Sequence, residues 1–362
     1  MYPPRYRLVK YAGQCLSQSL TMRAVIENWI LGHWYGAGQP PWYLRMLEPL
    51  YRSAYQRVAK KGRTGLNRYR SELPLIIVGN ITTGGSGKTP LVIHLCQLAQ
   101  KLNLKPGIIT TGYGRQSRDT LVVRVDSDPH QCGDEPVLLA SRTGAPVVVS
   151  EHRRDALERL SEMNLDLVIS DDGLQQYDLD RDIEFCVVDG KRGLGNGHLL
   201  PAGPLRESSE ALNRVNHVVS NGQWDDKPKG LDVTVMSLQA KELRSLDERT
   251  SMKAMEFRHE NTGKDIHAFA GLGNPQRFFS MLANMGIKAV PHTFPDHHSY
   301  VPADFHSVPK TSIILMTEKD AVKCRRFGLK NAWYVPIETH LPAEFETLIK
   351  ERMMKLTKDR KS

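Results

Sequence analysis

The run Val78-Gly79-Asn80-Ile81-Thr82-Thr83-Gly84-Gly85-Ser86-Gly87-Lys88-Thr89-Pro90 has the residue types that phosphate binding requires. Its glycines let backbone N–H groups curl around phosphate oxygens, and its lysine supplies a point charge for the β- and γ-phosphates. The hydroxyl of Thr89 is placed to ligate Mg²⁺, and Pro90 suits the first turn of a helix, where its missing N–H costs little. The usual spacing of such loops opens with a glycine, and Thr82 stands at that position. Residues Thr82, Thr83, Gly84, Gly85, Ser86, Gly87, Lys88 and Thr89 are therefore the expected nucleotide-binding set. Two further acidic segments could complete a phosphoryl-transfer site. An apolar run ends in Ser170-Asp171-Asp172-Gly173, a carboxylate pair suited to Mg²⁺ or its waters. Gly133-Asp134-Glu135-Pro136 offers Asp134 as a base for an attacking hydroxyl. Phe294-Pro295-Asp296-His297-His298-Ser299-Tyr300 brings two adjacent histidines. On a strand their side chains would point to opposite faces, so they are poor partners for one metal.

These groups need a scaffold, and the sequence supplies one from residue 73 onward. Short apolar runs recur at 73–78, 107–110, 121–125, 146–150, 165–170, 183–189, 217–220, 233–238, 267–270, 289–294, 312–316 and 333–337. They lack clean polar alternation, which predicts strands buried on both faces. Helix-length stretches separate them, 91–102 following the phosphate loop directly, so a parallel α/β architecture is expected. The chain has 362 residues, enough for two domains and an appendage. Its 40% apolar and 25% charged residues describe a folded protein. The five cysteines are scattered with no CxxC spacing, which argues against a disulfide framework, a zinc ribbon or a thioredoxin-like motif and for a reducing compartment. The polar stretches 223–229 and 244–263 read as surface loops or insertions.

Charge is distributed unevenly. Residues 1–70 hold twelve Lys and Arg against two acids, whereas the rest of the chain holds 37 basic and 38 acidic residues. A neutral body argues against nucleic-acid binding, and the basic segment calls for an anionic partner of its own, a membrane surface being one candidate. Trp29, Trp34, Tyr35, Trp42 and Tyr43 cluster there, followed by Leu44, Leu47, Leu50, Tyr51 and Tyr55 at helical spacing beside Arg45, Arg52, Arg57, Lys60 and Lys61. Aromatic and basic residues together suit a lipid headgroup region; an amphipathic helix packed on the body is the alternative. No run of about 18 apolar residues occurs, so a conventional spanning helix is not expected.

Taken in order, these motifs resemble the tetraacyldisaccharide 4'-kinase family. The resemblance rests on residues 78–90, Gly112-Tyr113-Gly114-Arg115, residues 133–136, Ser170-Asp171-Asp172-Gly173-Leu174-Gln175 and Val188-Asp189-Gly190 through Asn196-Gly197. It continues in Leu200-Pro201-Ala202-Gly203-Pro204-Leu205-Arg206-Glu207, Ala268-Phe269-Ala270-Gly271-Leu272-Gly273-Asn274-Pro275, residues 294–300 and Thr317-Glu318-Lys319-Asp320. That family's phosphate loop likewise lacks the first glycine. The chain departs from it at Gln176, where the family usually has His, and at Thr110-Thr111-Gly112, where Ser-Arg-Gly is commoner.

The resemblance implies ATP-dependent phosphorylation of the 4'-hydroxyl of an acylated glucosamine disaccharide 1-phosphate, with Mg²⁺ as cofactor. It implies two α/β/α domains, the first P-loop NTPase-like, with the site in the cleft between them and an N-terminal membrane-docking helix. On these residues it makes Asp134 the base supported by His297, and assigns Lys88 and Thr89 to phosphates and metal. Asp171, Asp172 and Glu135 become metal-shell acids, and Arg115 and Glu207 lie near the substrate. The expected divisions are an N-terminal helical segment at 1–70, a nucleotide domain at 71–205, a second α/β domain at 206–350 and a fraying charged tail at 351–362. The expected location is the cytoplasmic face of the bacterial inner membrane, with no nucleic acid and no obligate protein partner. A guanine-reading Asn-Lys-x-Asp is missing, since Thr317-Glu318-Lys319-Asp320 sets Lys and Asp side by side, which disfavours a GTPase. A metal-delivery role lacks a Cys or His cluster. A membrane adaptor that only senses nucleotide would not need the acids at 134 and 171–172.

Overall fold

The structure, a computed structural model, describes residues 22–36, 38–65 and 68–361. The expectations for residues 1–21 lie outside the described residues. Two helices open the described residues, α1 (Met22–Tyr35) and α2 (Trp42–Thr64). Residues Tyr51, Tyr55 and Ala59 recur every four positions along α2 and face the body, Tyr51 and Tyr55 packing into its core. Gly62 permits the closest approach, because a Cβ there would sit 2.6 Å from Tyr177 Cβ.

The α/β body then alternates β1 (Leu75–Gly79), α3 (Lys88–Lys101), β2 (Pro106–Thr110), β3 (Leu121–Val123), α4 (Pro129–Cys132), α5 (Asp134–Thr143), β4 (Val147–Val149), α6 (Arg153–Ser161), β5 (Leu167–Asp171), β6 (Ile183–Asp189), β7 (His217–Asn221) and β8 (Thr234–Gln239). A second series follows: β9 (Glu242–Ser245), β10 (Ser251–Lys253), α7 (Ala254–Glu260), β11 (Ile266–Ala270), α8 (Pro275–Asn284), β12 (Val290–Thr293), β13 (Ile313–Thr317), α9 (Glu318–Cys324), β14 (Ala332–Val335), β15 (Glu338–His340) and α10 (Ala343–Lys361).

Among the described residues the strands form a nine-stranded sheet, ordered β15-β8-β7-β6-β1-β5-β2-β4-β3, and a six-stranded sheet, ordered β10-β9-β14-β13-β11-β12. The central strands of both are parallel, as the unalternating apolar runs predict, and antiparallel partners sit at edges. In β1, Ile76 and Val78 enter one core while Leu75 and Ile77 enter the core on the opposite face. In β13, Ile313 and Leu315 are divided from Ile314 and Met316 in the same way. Strand β1 lies between β5 and β6, where the chain order reverses, and its C-terminal end opens into the phosphate loop. Such a switch point is where open α/β sheets place ligands.

Three expectations need correction. The division at 205/206 does not separate the sheets: β7 and β8 extend the first sheet, and the chain returns to it as β15 and α10. Residues 200–206 instead wrap the phosphate loop, with Thr83 N donating to Pro204 O at 2.9 Å. The stretch 244–263 contains strand, hairpin and helix, anchored by Phe257, which is fully buried against Trp333. The tail is not frayed: Ile349 and Met353 bury one face of α10, and Arg360 bonds Ser71 O at 2.9 Å and Asp182 at 3.1 Å.

Candidate active site

The phosphate loop is built as a backbone cradle. Gly84 and Gly87 hold φ of 96° and 99°, values that strain any residue with a Cβ. At Gly87 a Cβ would also strike Asn221 Nδ2 at 2.7 Å. Asn80, fully buried, donates to Ser86 Oγ at 3.2 Å and so ties the two ends of the loop. Its carbonyl accepts from Gln175 at 3.0 Å and from Arg206 at 3.1 Å. Asn221, at the end of β7, donates to Ser86 O at 3.1 Å. The exposed glycines at 84 and 85 leave their N–H groups open to a phosphate, and helix α3 begins at Lys88, adding its dipole.

The acids at the end of β5 meet this cradle. Thr89 Oγ1 lies 3.5 Å from Asp171 Oδ2, and Lys88 Nζ lies 3.6 Å from Asp172 Oδ2. Asp172 takes a positive φ of 54°, so the two consecutive carboxylates do not diverge as they would along a strand. Arg153, buried at 2% exposure, donates from Nη2 to the carbonyls of both Asp171 and Asp172 and braces this turn. Burial, together with the nearby Glu135 and Asp172, pushes Asp171 up to about 7. Burial acts on Asp172 as well, but Lys88 and Arg206 outweigh it and bring that carboxyl down to about 2. Asp171 Oδ1 is buried without a hydrogen-bond partner, so Asp171 and Thr89 are suited to a divalent cation. Among the described residues no three His, Cys, Asp or Glu side chains converge into a preformed metal site. A cation there would take its remaining ligands from phosphate oxygens and water. Asp172 is engaged instead by Lys88 and Arg206, and Glu135 by Lys319 at 3.1 Å.

The third group comes from both halves of the fold. Asp134 opens α5 behind Gly133, whose φ of 97° turns the chain into the helix. Its Oδ1 lies 3.1 Å from His297 Nδ1, while Oδ2 accepts no hydrogen bond and stands 3.7 Å from Lys323 and 4.0 Å from Lys319. Burial disfavours the Asp134 carboxylate, yet the His297 hydrogen bond and the two ammonium groups hold it well below the usual carboxylate range. For His297, burial opposes the charged ring, and the bond to Asp134 reverses this, so its pKa is raised. The His297 ring also meets Tyr113 at 5.1 Å. An open cleft lies over this group, lined by Tyr113, Asp134, His297, Ser299, Lys323 and Arg326. Lys319 joins the halves of the site, touching Glu135 on the phosphate side and His297 Nε2 at 3.2 Å on the other.

The structure thus gathers Lys88, Thr89, Asp171, Asp172, Glu135, Asp134 and His297. It leaves two expected substrate residues outside. The Arg115 guanidinium folds onto its own loop, donating to Asp119 O at 2.6 Å and Arg118 O at 3.2 Å. Glu207 is 2% exposed and accepts from Gln175 at 2.7 Å and Arg214 at 3.0 Å, a brace beneath the phosphate loop and not a surface for substrate. Sequence reading missed Asn80, Arg153, Arg206, Asn221, Lys319 and Lys323 as site residues. Lys319 sits inside a quoted motif, whereas Arg153 and Asn221 carry no local signal.

Comparison with known proteins points one way. Residues 40–354 match the family model described as Tetraacyldisaccharide-1-P 4'-kinase. The tetraacyldisaccharide 4'-kinase of Methylobacillus flagellatus is 42% identical over 91% of this chain and 97% of its own length. That of Pasteurella multocida is 45% identical over 76% and 83% respectively. A crystal structure of LpxK from Aquifex aeolicus in complex with ATP superposes with a TM-score of 0.74 at 28% identity, covering 86% of this chain and 98% of that one.

Proposed function

Because the chain belongs to the tetraacyldisaccharide-1-P 4'-kinase family, we propose that it carries out phosphoryl transfer between the phosphate loop and Asp134. The protein transfers the γ-phosphate of ATP to the 4'-hydroxyl of a tetraacyldisaccharide 1-phosphate, a step of lipid A biosynthesis that yields lipid IVA. The bond from the γ-phosphorus to the β,γ-bridging oxygen breaks, the bond to the sugar oxygen forms, and ADP leaves. The backbone of residues 82–89 and Lys88 bind the phosphates and neutralise charge as it develops. Thr89 and Asp171 are the residues that would hold Mg²⁺, which supplies further charge neutralisation when bound. The proton of the sugar hydroxyl passes to Asp134 Oδ2. A carboxylate held this acidic is a weak base, which suits a loose transition state in which the proton moves late. His297 orients it from Oδ1. The observation that carries this reading is Asp134, which lines the cleft at the junction of the two halves with its Oδ2 free of any hydrogen bond.

The acceptor's acyl chains remain in the inner membrane, on its cytoplasmic face, and α1 and α2 dock the enzyme there. Trp42, Tyr43, Met46, Leu47 and Leu50 of α2 and Ile26 and Trp29 of α1 are exposed, beside Arg45, Arg52, Arg57, Lys60 and Lys61. Anionic lipid attracts such basic residues by roughly 1 kcal/mol each. No helix of the described residues is long and apolar enough to cross a membrane, and the exposed apolar and basic residues of α2 suit an interfacial position. Incubation with ATP, Mg²⁺ and the disaccharide 1-phosphate, read by mass spectrometry, should show one added phosphate at the 4' position. No product from folded protein would overturn the reading. Sedimentation with anionic vesicles should be strong at low salt and weak with neutral lipid; equal binding to both would reject the docking face.

A further inference from the structure

Arg192 stands in the loop after β6 with its guanidinium carbon 5.0 Å from the centre of the Tyr35 ring. Tyr35 is itself fixed to the phosphate loop, its hydroxyl donating to Thr83 O at 3.2 Å. The backbone of Arg192 is fixed too, because Lys191 N and Arg192 N both donate to Asp189 Oδ1, at 3.0 and 3.2 Å. The guanidinium is therefore delivered to one place, the tip of the phosphate loop. A Cβ built on Gly84 would lie 3.5 Å from Arg192 Nη1. Among the described residues, Arg68, Arg153, Arg206 and Arg214, which surround the same half of the fold, all bond carboxylates or carbonyls. Among the described residues the Arg192 guanidinium meets the aromatic face and bonds no carboxylate or carbonyl, so its donors are left for another acceptor. Guanidinium donors form a planar fork that matches phosphate oxygens, and an aromatic face holds the plane without consuming an N–H.

We propose that Arg192 is a further catalytic residue, a guanidinium supplied from within the chain that contacts the terminal phosphoryl group as it passes from ATP to the sugar oxygen. This rests on the kinase reading and deepens it. Its charge adds to that of Lys88 at the loop tip, where Gly84 has no side chain to block it. Charge on the transferring group is stabilised most in the transition state, so the contact raises kcat more than it tightens ATP.

The test uses the full chain with Arg192→Ala, Arg192→Lys and Tyr35→Leu. Two things are measured: kcat and KM for both substrates, and calorimetric affinity for ADP and for ADP with aluminium fluoride and Mg²⁺, a mimic of the phosphoryl group in flight. Arg192→Ala should bind ADP within about 3-fold of the parent, yet lose about 100-fold or more in kcat and in affinity for the mimic. Arg192→Lys should recover part of the loss, and Tyr35→Leu should lose about 10-fold by releasing the guanidinium from its ring. Equal losses for ADP and for the mimic would reduce Arg192 to a structural role. An unchanged kcat with a raised KM for the disaccharide would assign it to the acceptor's own phosphate. Either result overturns the proposal. If Arg192→Ala fails to fold, Arg192→Lys and Tyr35→Leu decide it by the same criteria. Should the parent make no lipid product, the kinase reading fails while dependence of the mimic on Arg192 can still stand.

Discussion

The two sides of the cleft are built by different rules. The phosphate side is a local object: residues 80–89 form one turn between one strand and one helix, and its inner hydrogen bond spans six residues. The acceptor side is a distant one, in which Asp134 and His297 meet across 163 positions of chain. The first can bind a nucleotide wherever the second half of the fold lies. The second exists only when α5 is pressed against α9 and the loop after β12. Packing of α9 and the loop after β12 on α5 is therefore what completes the acceptor side, by setting His297, Lys319 and Lys323 around Asp134.

The largest effect should separate these sides. Asp134→Ala should lower kcat by about 10²–10⁴-fold with little change in ATP affinity. Lys88→Ala should lose affinity for ATP as well as rate, since it removes a charge from the ground-state site. Single-turnover assays with a nucleotide-binding titration check both. Equal behaviour of the two variants would erase the distinction.

Next is the strap that holds the halves together. Arg142 of α5 donates to both oxygens of Glu318 on α9, at 2.8 and 2.7 Å, and both side chains are largely buried. Removing one partner leaves the other charge stranded, so Arg142→Ala should destabilise by about 3–5 kcal/mol, seen as a lower denaturant midpoint. It should also weaken the acceptor side before the phosphate side, so residual folded protein should bind ATP better than it transfers phosphate.

What could be read in advance follows the same line. The phosphate loop, the buried parallel strands and the acids at 134 and 171–172 were legible because each depends on neighbours in sequence. Lys319 and Lys323 were not, because their i, i+4 spacing on a short helix resembles any solvated face until α5 is placed against it. Glu207 was placed near the substrate by the resemblance alone, with nothing in its neighbours in sequence to show that Gln175 and Arg214 enclose it. The end of the chain misled through composition. Its charges outnumber its apolar residues, but Ile349, Met353 and Leu356 recur on one face and pack on α3 and the first sheet. The division at 205/206 failed because residues 200–206 serve as the outer wall of the phosphate loop, a contact that no neighbour in sequence announces.

A milder perturbation probes how the second half senses the first. Arg277 at the start of α8 donates to Asn221 Oδ1 at 2.7 Å and lies 3.4 Å from Asp189, and Asn221 in turn holds Ser86 O. Arg277→Ala and Asn221→Ala should each reduce kcat, and the double variant should fall short of their product by about 0.5–3 kcal/mol, the coupling expected of residues in one network. Additive losses would mean the two halves communicate elsewhere.

The smallest expected effect is on stability against pH, and its sign is specific. His297 has a raised pKa in the folded protein, so its pairing with Asp134 stabilises the fold below the unfolded histidine pKa, about 6.5. That contribution is lost as pH rises through the folded value. Asp134→Asn removes the negative partner. The gap in denaturant midpoint between parent and Asp134→Asn should therefore be wider at pH 6 than at pH 9. Asp134 itself contributes nothing to this window, because its carboxyl, held well below the usual range, is ionised throughout it in the folded and the unfolded chain. A gap that is constant across the range would show that the two side chains share geometry without sharing a proton equilibrium, and His297 would then act on Asp134 only by placing it.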